Sequence, residues 1–228
     1  MPPVWPPPES AWKKTLGKAV SAHHGATCLS RWEDVGKLLG KPKVICCLGN
    51  GPSSEDANLE GQPFDALFRV NYQWLSRGFL TDPAIVFTAD PEAPPAGSRA
   101  ILAFPTREDA NLILRGHDAA GQHTPRRYFV FPELPSPVAA RTWPARPTNG
   151  ALMIAAAVAL APRRIVIAGI DLYDHPAGKY PGVSDVDNIY DDIHDRDVDL
   201  DVIRLALNGF AGEVTILGER LQRALNQS

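Results

Sequence analysis

The rhythm of apolar and polar positions changes several times along the chain. From residue 44 onward, short runs rich in β-branched and aromatic residues alternate with stretches where apolar residues recur at three- and four-residue intervals, the pattern of strands alternating with helices. The runs predict strands over Val44 to Leu48, Ala66 to Val70, Ala84 to Thr88, Ala100 to Phe104, Arg127 to Phe131, Arg164 to Ala168 and Glu213 to Leu217. Helical spacing predicts helices near Glu108 to Arg115, Gly150 to Ala161 and Asp199 to Asn208. The second of these, Ala-Leu-Met-Ile-Ala-Ala-Ala-Val-Ala-Leu, is apolar almost all round and is expected to bury more than one side against a sheet. This alternation implies an α/β fold with an open, mostly parallel sheet and helices on both faces. Asp90 to Ser98 and Pro132 to Thr148, rich in Pro and small residues, read as long loops, where function tends to concentrate.

The first 43 residues follow another pattern. Five of the first eight are proline, so Met1 to Pro8 predicts an extended tail. Ser10 can cap a short helix in which Trp12, Leu16, Ala19 and Val20 share one side while Lys13, Lys14 and Lys18 fall elsewhere. Residues 1–43 carry seven Lys or Arg against three acids, a balance that favours an acidic or phosphate-rich partner nearby. The expected organisation is a tail and basic amphipathic helix over 1–43, followed by one domain over 44–228.

Composition narrows the classes. With 228 residues and 44% hydrophobic positions, the chain can bury a full core without a disulfide or metal. Lys plus Arg is 23 and Asp plus Glu is 26, so the formal charge of -3 lacks the footprint of a general nucleic-acid binder. The longest apolar run, Ala151 to Ala161, falls short of the ~20 residues that span a bilayer, and the N-terminus lacks a secretory pattern. A cytoplasmic protein is expected, with at most peripheral contact at the inner membrane face through residues 10–20, and a homo-oligomer is left open. Of three cysteines, Cys28, Cys46 and Cys47, the last two are neighbours in a strand and are expected as core thiols; no CxxC spacing suggests zinc.

The residues that could do chemistry fall at predicted strand ends. Leu48-Gly-Asn-Gly-Pro-Ser-Ser54 follows a strand directly, and its glycines, Gly49 and Gly51, could let backbone N–H groups cradle a phosphate while Asn50 and Ser53 add side-chain donors. It matches neither GxGxxG nor GxxxxGK[ST], and a plain tight turn remains the competing account. Arg69 and Asn71 end the next strand on one face, placing Asn71 near the Gly49 loop if the two strands are adjacent; the alternative for Arg69 is an ion pair at the sheet edge. Arg146-Pro-Thr-Asn-Gly150 precedes the apolar helix, where Thr148 or Asn149 can cap and free N–H groups can face an anion. The strand Arg164 to Ala168 runs on to Asp171 and Tyr173, and a Gly- and Pro-containing segment follows with Tyr180, Tyr190 and His194; it reads as a lid over about 174–194. Histidine can take a proton from a hydroxyl near neutral pH, and phenols can donate to a leaving phosphate. Eight aspartates crowd residues 185–201, opposed by Arg196; a divalent ion is one reading, though the spacing is not that of an EF-hand and part of the run suits a solvated first helical turn.

Taken in order, Gly-Asn-Gly-Pro-Ser at 49–53, Phe-Asp-x-x-Phe-Arg-x-Asn at 64–71, Val-Phe-x-x-Asp-Pro at 86–91, Arg-x-Thr-x-Gly at 146–150, Gly-Ile-Asp-x-Tyr at 169–173 and His194 resemble the bacterial CMP-sialic-acid-dependent sialyltransferases. The resemblance implies a Rossmann-like single-domain glycosyltransferase with a small lid, no cofactor, a CMP-activated sugar donor and a glycan or glycolipid acceptor. It assigns His194 as general base and Tyr173 and Tyr180 to the leaving phosphate. It places Gly49, Asn50, Gly51, Pro52, Ser53, Arg69, Asn71, Asp90, Arg146, Thr148, Asn149, Gly150 and Asp171 around the donor. Asn149 stands where the family usually has Ser, and Asp90 where it usually has Asn. Two other expectations share the fold: a Mg-dependent enzyme similar to pterin pyrophosphokinases, and a nucleotide-binding module without catalysis.

Overall fold

The computed structural model describes Trp5 and residues 26–92, 94–95, 97–122, 126–187 and 190–227. Its centre is an eight-stranded sheet in which every pairing is parallel. The strands are β1 (Ala26–Cys28), β2 (Val44–Leu48), β3 (Ala66–Val70), β4 (Ile85–Phe87), β5 (Ile101–Phe104), β6 (Arg126–Val130), β7 (Arg164–Ala168) and β10 (Glu213–Ile216), and their spatial order is β1-β6-β5-β4-β3-β2-β7-β10. A two-residue strand β8 (Lys179–Tyr180) and β9 (Val183–Asp187) form a separate antiparallel hairpin. The helices are α1 (Trp32–Leu38), α2 (Arg107–Ala119), α3 (Asn149–Ala159), α4 (Arg196–Leu207) and α5 (Glu219–Asn226).

All seven expected strands are present, and the three expected helices appear with their ends shifted. Three elements carry no strong sequence signal: β1, the hairpin and the short α1. β1 pairs with β6, and Trp32 and Val35 of α1 pack into the main core, so the sheet takes in residues N-terminal of the expected boundary at residue 44. Trp5 is also buried, exchanging backbone hydrogen bonds with Trp143 and donating its indole N–H to the Pro105 carbonyl at 3.0 Å. The basic helix expected after Ser10 lies outside the described residues.

Both faces of the sheet are covered. Residues 150–157 of α3 are all buried, as an all-round apolar helix requires, because α3 lies across the middle strands and is backed in turn by α4. Each large apolar side chain so buried contributes roughly 1.5–3 kcal/mol. On the opposite face α2 covers Val86, Leu102, Phe104 and Tyr128. Among the described residues no helix is long and apolar enough to cross a membrane. Cys46 and Cys47 are core thiols, pushed up by burial, Cys46 to about 12, whereas Cys28 is exposed on the edge strand.

The strand order fixes where a ligand can sit. The chain steps from β2 outward through β3, β4, β5 and β6, then returns to place β7 on the other side of β2. The loops leaving β2 and β7 therefore diverge around a crevice at the carboxyl ends of adjacent strands, the usual binding place in open α/β sheets.

Candidate active site

The crevice is walled by four segments. Asn50 and Gly51 come from the loop after β2, Asn71 and Gln73 from the end of β3, Thr148, Asn149 and Gly150 from the start of α3, and Gly169 to Tyr173 from the loop after β7. Tyr180, Tyr190, His194 and Asp199 close the remaining side, and the enclosed space measures about 110 Å³. Of the residues expected from the sequence, Asn50, Gly51, Asn71, Thr148, Asn149, Gly150, Asp171, Tyr173, Tyr180 and His194 line this one crevice.

The glycine loop is built for close packing, which corrects the phosphate-cradle expectation. Gly49 N and Gly51 N donate to the Ala168 and Gly169 carbonyls at 2.9 Å each, and Ser53 N donates to Asp171 Oδ2 at 2.8 Å. These N–H groups are engaged in stitching the β2 loop to the β7 loop. A Cβ at Gly49 would sit 2.2 Å from the Gly169 carbonyl oxygen, and one at Gly51 would sit 2.4 Å from Asp171 Oδ2. Ser53 turns its hydroxyl to the Gly169 N–H at 2.9 Å, and neither Gly49, Pro52 nor Ser53 lines the crevice.

Asn50 is 8% exposed and gives both amide hydrogens to the protein, to Val70 O at 2.9 Å and Gln73 Oε1 at 3.1 Å. Its Oδ1 is buried and has no partner among the described residues, so the uncommitted atom of this side chain is an acceptor rather than the expected donor. Asn71 takes a left-handed conformation, φ 47°, which Asn tolerates better than most residues, and its Oδ1 accepts from Asn149 Nδ2 at 3.1 Å.

Arg69 does not join them. Strand alternation sends it to the opposite face of the sheet, where it is fully buried with its Cζ 5.1 Å from the Trp74 ring centroid. None of its three guanidinium nitrogens has a hydrogen-bond partner among the described residues, so the sheet-edge ion pair is not formed either. Burial lowers its pKa to about 9. Arg146 also faces away from the crevice, pairing with Asp109 of α2. Asp90 lies behind Gln73, which hydrogen-bonds it, and burial raises its pKa.

Arg146 acts through its backbone instead. Its N–H donates to the Ile193 carbonyl at 3.0 Å, and its carbonyl accepts from His194 Nδ1 at 2.6 Å. A carbonyl cannot donate, so Nδ1 carries a proton, and in the neutral ring Nε2 then presents its lone pair. The neighbouring acid, Asp191, has Oδ1 3.9 Å from Nε2.

The loop after β7 is strained where it serves the crevice. Leu172 and Tyr173 are consecutive left-handed residues, φ 52° and 54°, in a turn closed by Asp174 N to Asp171 O at 3.0 Å. Such conformations cost on the order of 1–3 kcal/mol each outside glycine, and here they deliver a tyrosine to the site. Tyr173 donates its hydroxyl hydrogen to Tyr180, and its ring centroid lies 4.3 Å from that of Tyr190. Burial, the largest cause in each case, raises the pKa of all three phenols, so they stay protonated donors at neutral pH.

The chief residue that sequence reasoning missed is Asp199. It is 2% exposed and accepts from Thr148 N at 2.8 Å, Thr148 Oγ1 at 2.7 Å and Tyr190 OH at 3.1 Å. Desolvation pushes its pKa up to about 6. Thr148 is the N-cap of α3 as expected, but its N–H is already committed to a carboxylate. The signal was present: Asp199 sits on the apolar stripe shared by Val202, Ile203 and Ala206. It was obscured because the helix start was placed at residue 199, where an acid suits the first turn, whereas Asp195 is the N-cap, accepting from Asp197 N and Val198 N. In the aspartate run Asp195 caps α4, Asp191 accepts from Ile193 N and Asp199 accepts from Thr148 and Tyr190, and no group of three metal-ligating side chains gathers among the described residues.

The chain resembles the sialyltransferase CstII from Campylobacter jejuni in complex with the substrate analogue CMP-3FNeuAc, at TM-score 0.57 and 18% identity over 82% of this chain and 89% of that one. The likeness extends more loosely to the same enzyme with cytidine-5'-monophosphate, TM-score 0.48, 17% identity, 77% and 79% covered. Cst-I, a monofunctional alpha-2,3-sialyltransferase from the same organism, gives TM-score 0.45, 16% identity and 77% and 75% covered. No protein-family model and no curated protein matches the chain. The fold is therefore that of the CstII sialyltransferase.

Proposed function

We propose that the chain is an inverting glycosyltransferase that moves a sialic-acid-like sugar from a CMP-activated donor to a hydroxyl of a glycan or glycolipid acceptor. The observation that carries this reading is the pairing of a histidine tautomer with protonated phenols in one crevice: Nδ1 of His194 is held by the Arg146 carbonyl, and Tyr173 and Tyr180 line the same space. The CstII structure that shares the fold was determined with CMP-3FNeuAc, which supports a CMP-linked donor here.

In this mechanism Nε2 of His194 takes the proton of the acceptor hydroxyl as that oxygen bonds to the anomeric carbon. The bond from that carbon to the phosphate oxygen breaks on the opposite face, and its electron pair leaves with CMP. Tyr180 donates a hydrogen bond to the departing phosphate. Tyr173, donating to Tyr180, strengthens that donation in the low-dielectric crevice. Asn50 Oδ1 and the Asn71–Asn149 pair hold the nucleoside end. Alignment of base, acceptor and donor supplies much of such a rate enhancement. The reading assigns no metal cofactor, because neutral phenols meet the charge of the leaving group. The enclosed 110 Å³ is below the roughly 300–1,000 Å³ of a small-molecule pocket, so a nucleotide sugar must extend into the open mouth or displace the segment that carries Tyr180 and His194.

Calorimetric titration with CMP, CDP, UMP, GMP and ATP, each with EDTA and again with Mg²⁺, tests the donor. CMP binding that survives EDTA, followed by transfer from a CMP-sugar to a glycan with inverted anomeric configuration, is expected. ATP binding that requires Mg²⁺ would overturn the reading in favour of pyrophosphoryl transfer.

A further inference from the structure

Asp199 presents an energetic question that capping does not answer. A buried carboxylate without a cation is costly unless strong donors surround it, and Asp199 forms no ion pair among the described residues. Thr148 already caps α3, accepting from Ala151 N with its own hydroxyl oxygen, so the helix start does not need a carboxylate from α4. What capping leaves unexplained is the third bond, to Tyr190, which belongs to the segment between the hairpin and α4.

The 146–148 stretch bonds both to that segment and to α4. Arg146 binds Ile193 and His194 through its backbone, and Thr148 binds Asp199 through its N–H and hydroxyl. Tyr190, held by Asp199, packs on Tyr173, which in turn donates to Tyr180. Asp199 is thus bonded both to the wall that positions His194 and to the aromatic group beside Tyr173 and Tyr180.

We propose that Asp199 is a positioning residue that latches the His194-bearing segment onto the start of α3 through Tyr190 and Thr148, and so sets the spacing between the base and the phenols. The roles of His194 and Tyr180 in this statement rest on the glycosyltransfer reading. The latch itself is a property of the fold and is tested separately.

The test compares the full-length protein with Asp199→Asn, Tyr190→Phe and the double variant by hydrogen–deuterium exchange, free and with CMP, alongside transfer kinetics from a CMP-sugar. Both single variants are expected to raise exchange over residues 190–195 by about tenfold, and the double variant to exceed the larger single effect by less than about twofold, because both remove one link. The kcat is expected to fall by at least about tenfold while CMP affinity stays within about threefold, a split that general unfolding would not produce. Unchanged exchange in both single variants, or multiplying effects in the double, would overturn the latch even in an active enzyme. Tyr190→Phe removes only a hydroxyl and keeps the test decisive should Asp199→Asn fail to fold. A wild-type protein that transfers nothing would remove the catalytic reading while the exchange data still decide the latch.

Discussion

Asn149 donates its side-chain amide to Asn71 Oδ1 at 3.1 Å, joining the end of β3 to the first residue of α3 across 78 positions of sequence. The contact depends on the left-handed turn at Asn71, whose N–H is held by the Phe87 carbonyl at 2.9 Å and whose own carbonyl accepts from the Trp74 indole at 2.7 Å. Because the turn is fixed independently of the side chain, backbone and amide can be separated by mutation. Asn71→Gly tolerates the positive φ and loses only the amide, so CMP affinity is expected to fall by about 1–3 kcal/mol in calorimetry with little change in fold. Unaltered affinity would remove Asn71 from the nucleotide grip.

The Arg146 N–H to Ile193 carbonyl bond, 3.0 Å, holds the segment independently of the imidazole, so removing the ring isolates the proton transfer. His194→Ala is expected to retain CMP binding and lower kcat for transfer by ~10² to 10⁴. Steady-state kinetics with a CMP-sugar, read beside calorimetry, checks this. Loss of binding with the rate would mean that the side chain holds the donor instead.

Gly51→Ala addresses the packed loops. Its φ of −63° is open to any residue, so backbone freedom is not the reason for glycine here. The added Cβ would lie 2.4 Å from Asp171 Oδ2 and 2.9 Å from the Gly169 carbonyl oxygen, forcing the β2 and β7 loops apart. A loss of about 1–3 kcal/mol in denaturant unfolding is expected, with CMP binding weakened as well, since the crevice sits between those loops. Alanine tolerated on both counts would show that the loops move apart freely.

The sheet was legible because its strands are continuous apolar runs bounded by turn residues, and Val44–Leu48, Ala66–Val70 and Arg164–Ala168 occur at the expected residues. α3 announced its burial by having no polar face. β1 and the hairpin escaped because the three residues of Ala26–Cys28, two of them exposed, or the two of Lys179–Tyr180, are too few to show a period and owe their form to pairing partners. At the site, residues next to strand ends were found by position, but orientation was not. Arg69 and Asn71 look alike by alternation, yet the turn at Asn71 takes that residue out of the strand and into the crevice, and Arg69 remains in the strand on the far face. The burial of Asp199 is legible from its place on the apolar stripe of α4, but its pairing with Thr148, 51 positions away, leaves no local trace.

Arg69 supplies a prediction that runs against its motif. A guanidinium at 0% exposure without a hydrogen-bond partner among the described residues bears a desolvation penalty that the Trp74 ring offsets only in part. Arg69→Met keeps the length of the side chain and removes the charge. It is expected to raise stability by about 1–4 kcal/mol, as replacement of buried charges often does, and to leave CMP affinity within about twofold. A large loss of CMP binding in a folded variant would mean that the buried charge acts on the ligand from behind the sheet.

The titration of Asp199 gives the stability a predictable sign. Its carboxyl sits at about 6 in the folded protein against 3.8 for an ordinary aspartate, chiefly through desolvation. Thr148 and Tyr190 face it with hydrogen bonds, His194 bears on it electrostatically from the same segment, and the phenol of Tyr173 lies within its field. An acid whose pKa rises on folding holds its proton more tightly in the native state. Its contribution to stability is therefore complete below the unfolded value of 3.8 and is lost as pH rises through about 6. Two pKa units correspond to roughly 3 kcal/mol, an upper figure for one group. Thermal melts of the wild type and Asp199→Asn from about pH 4.5 to 8 separate this group from the others, because every other ionisable group is common to the two proteins. Wild-type stability is expected to fall relative to the variant across that window by up to about 2 kcal/mol, the remainder of the loss lying below pH 4.5. A constant difference would mean that Asp199 keeps an ordinary pKa in the folded protein, and a difference of opposite slope that its three donors outweigh its burial.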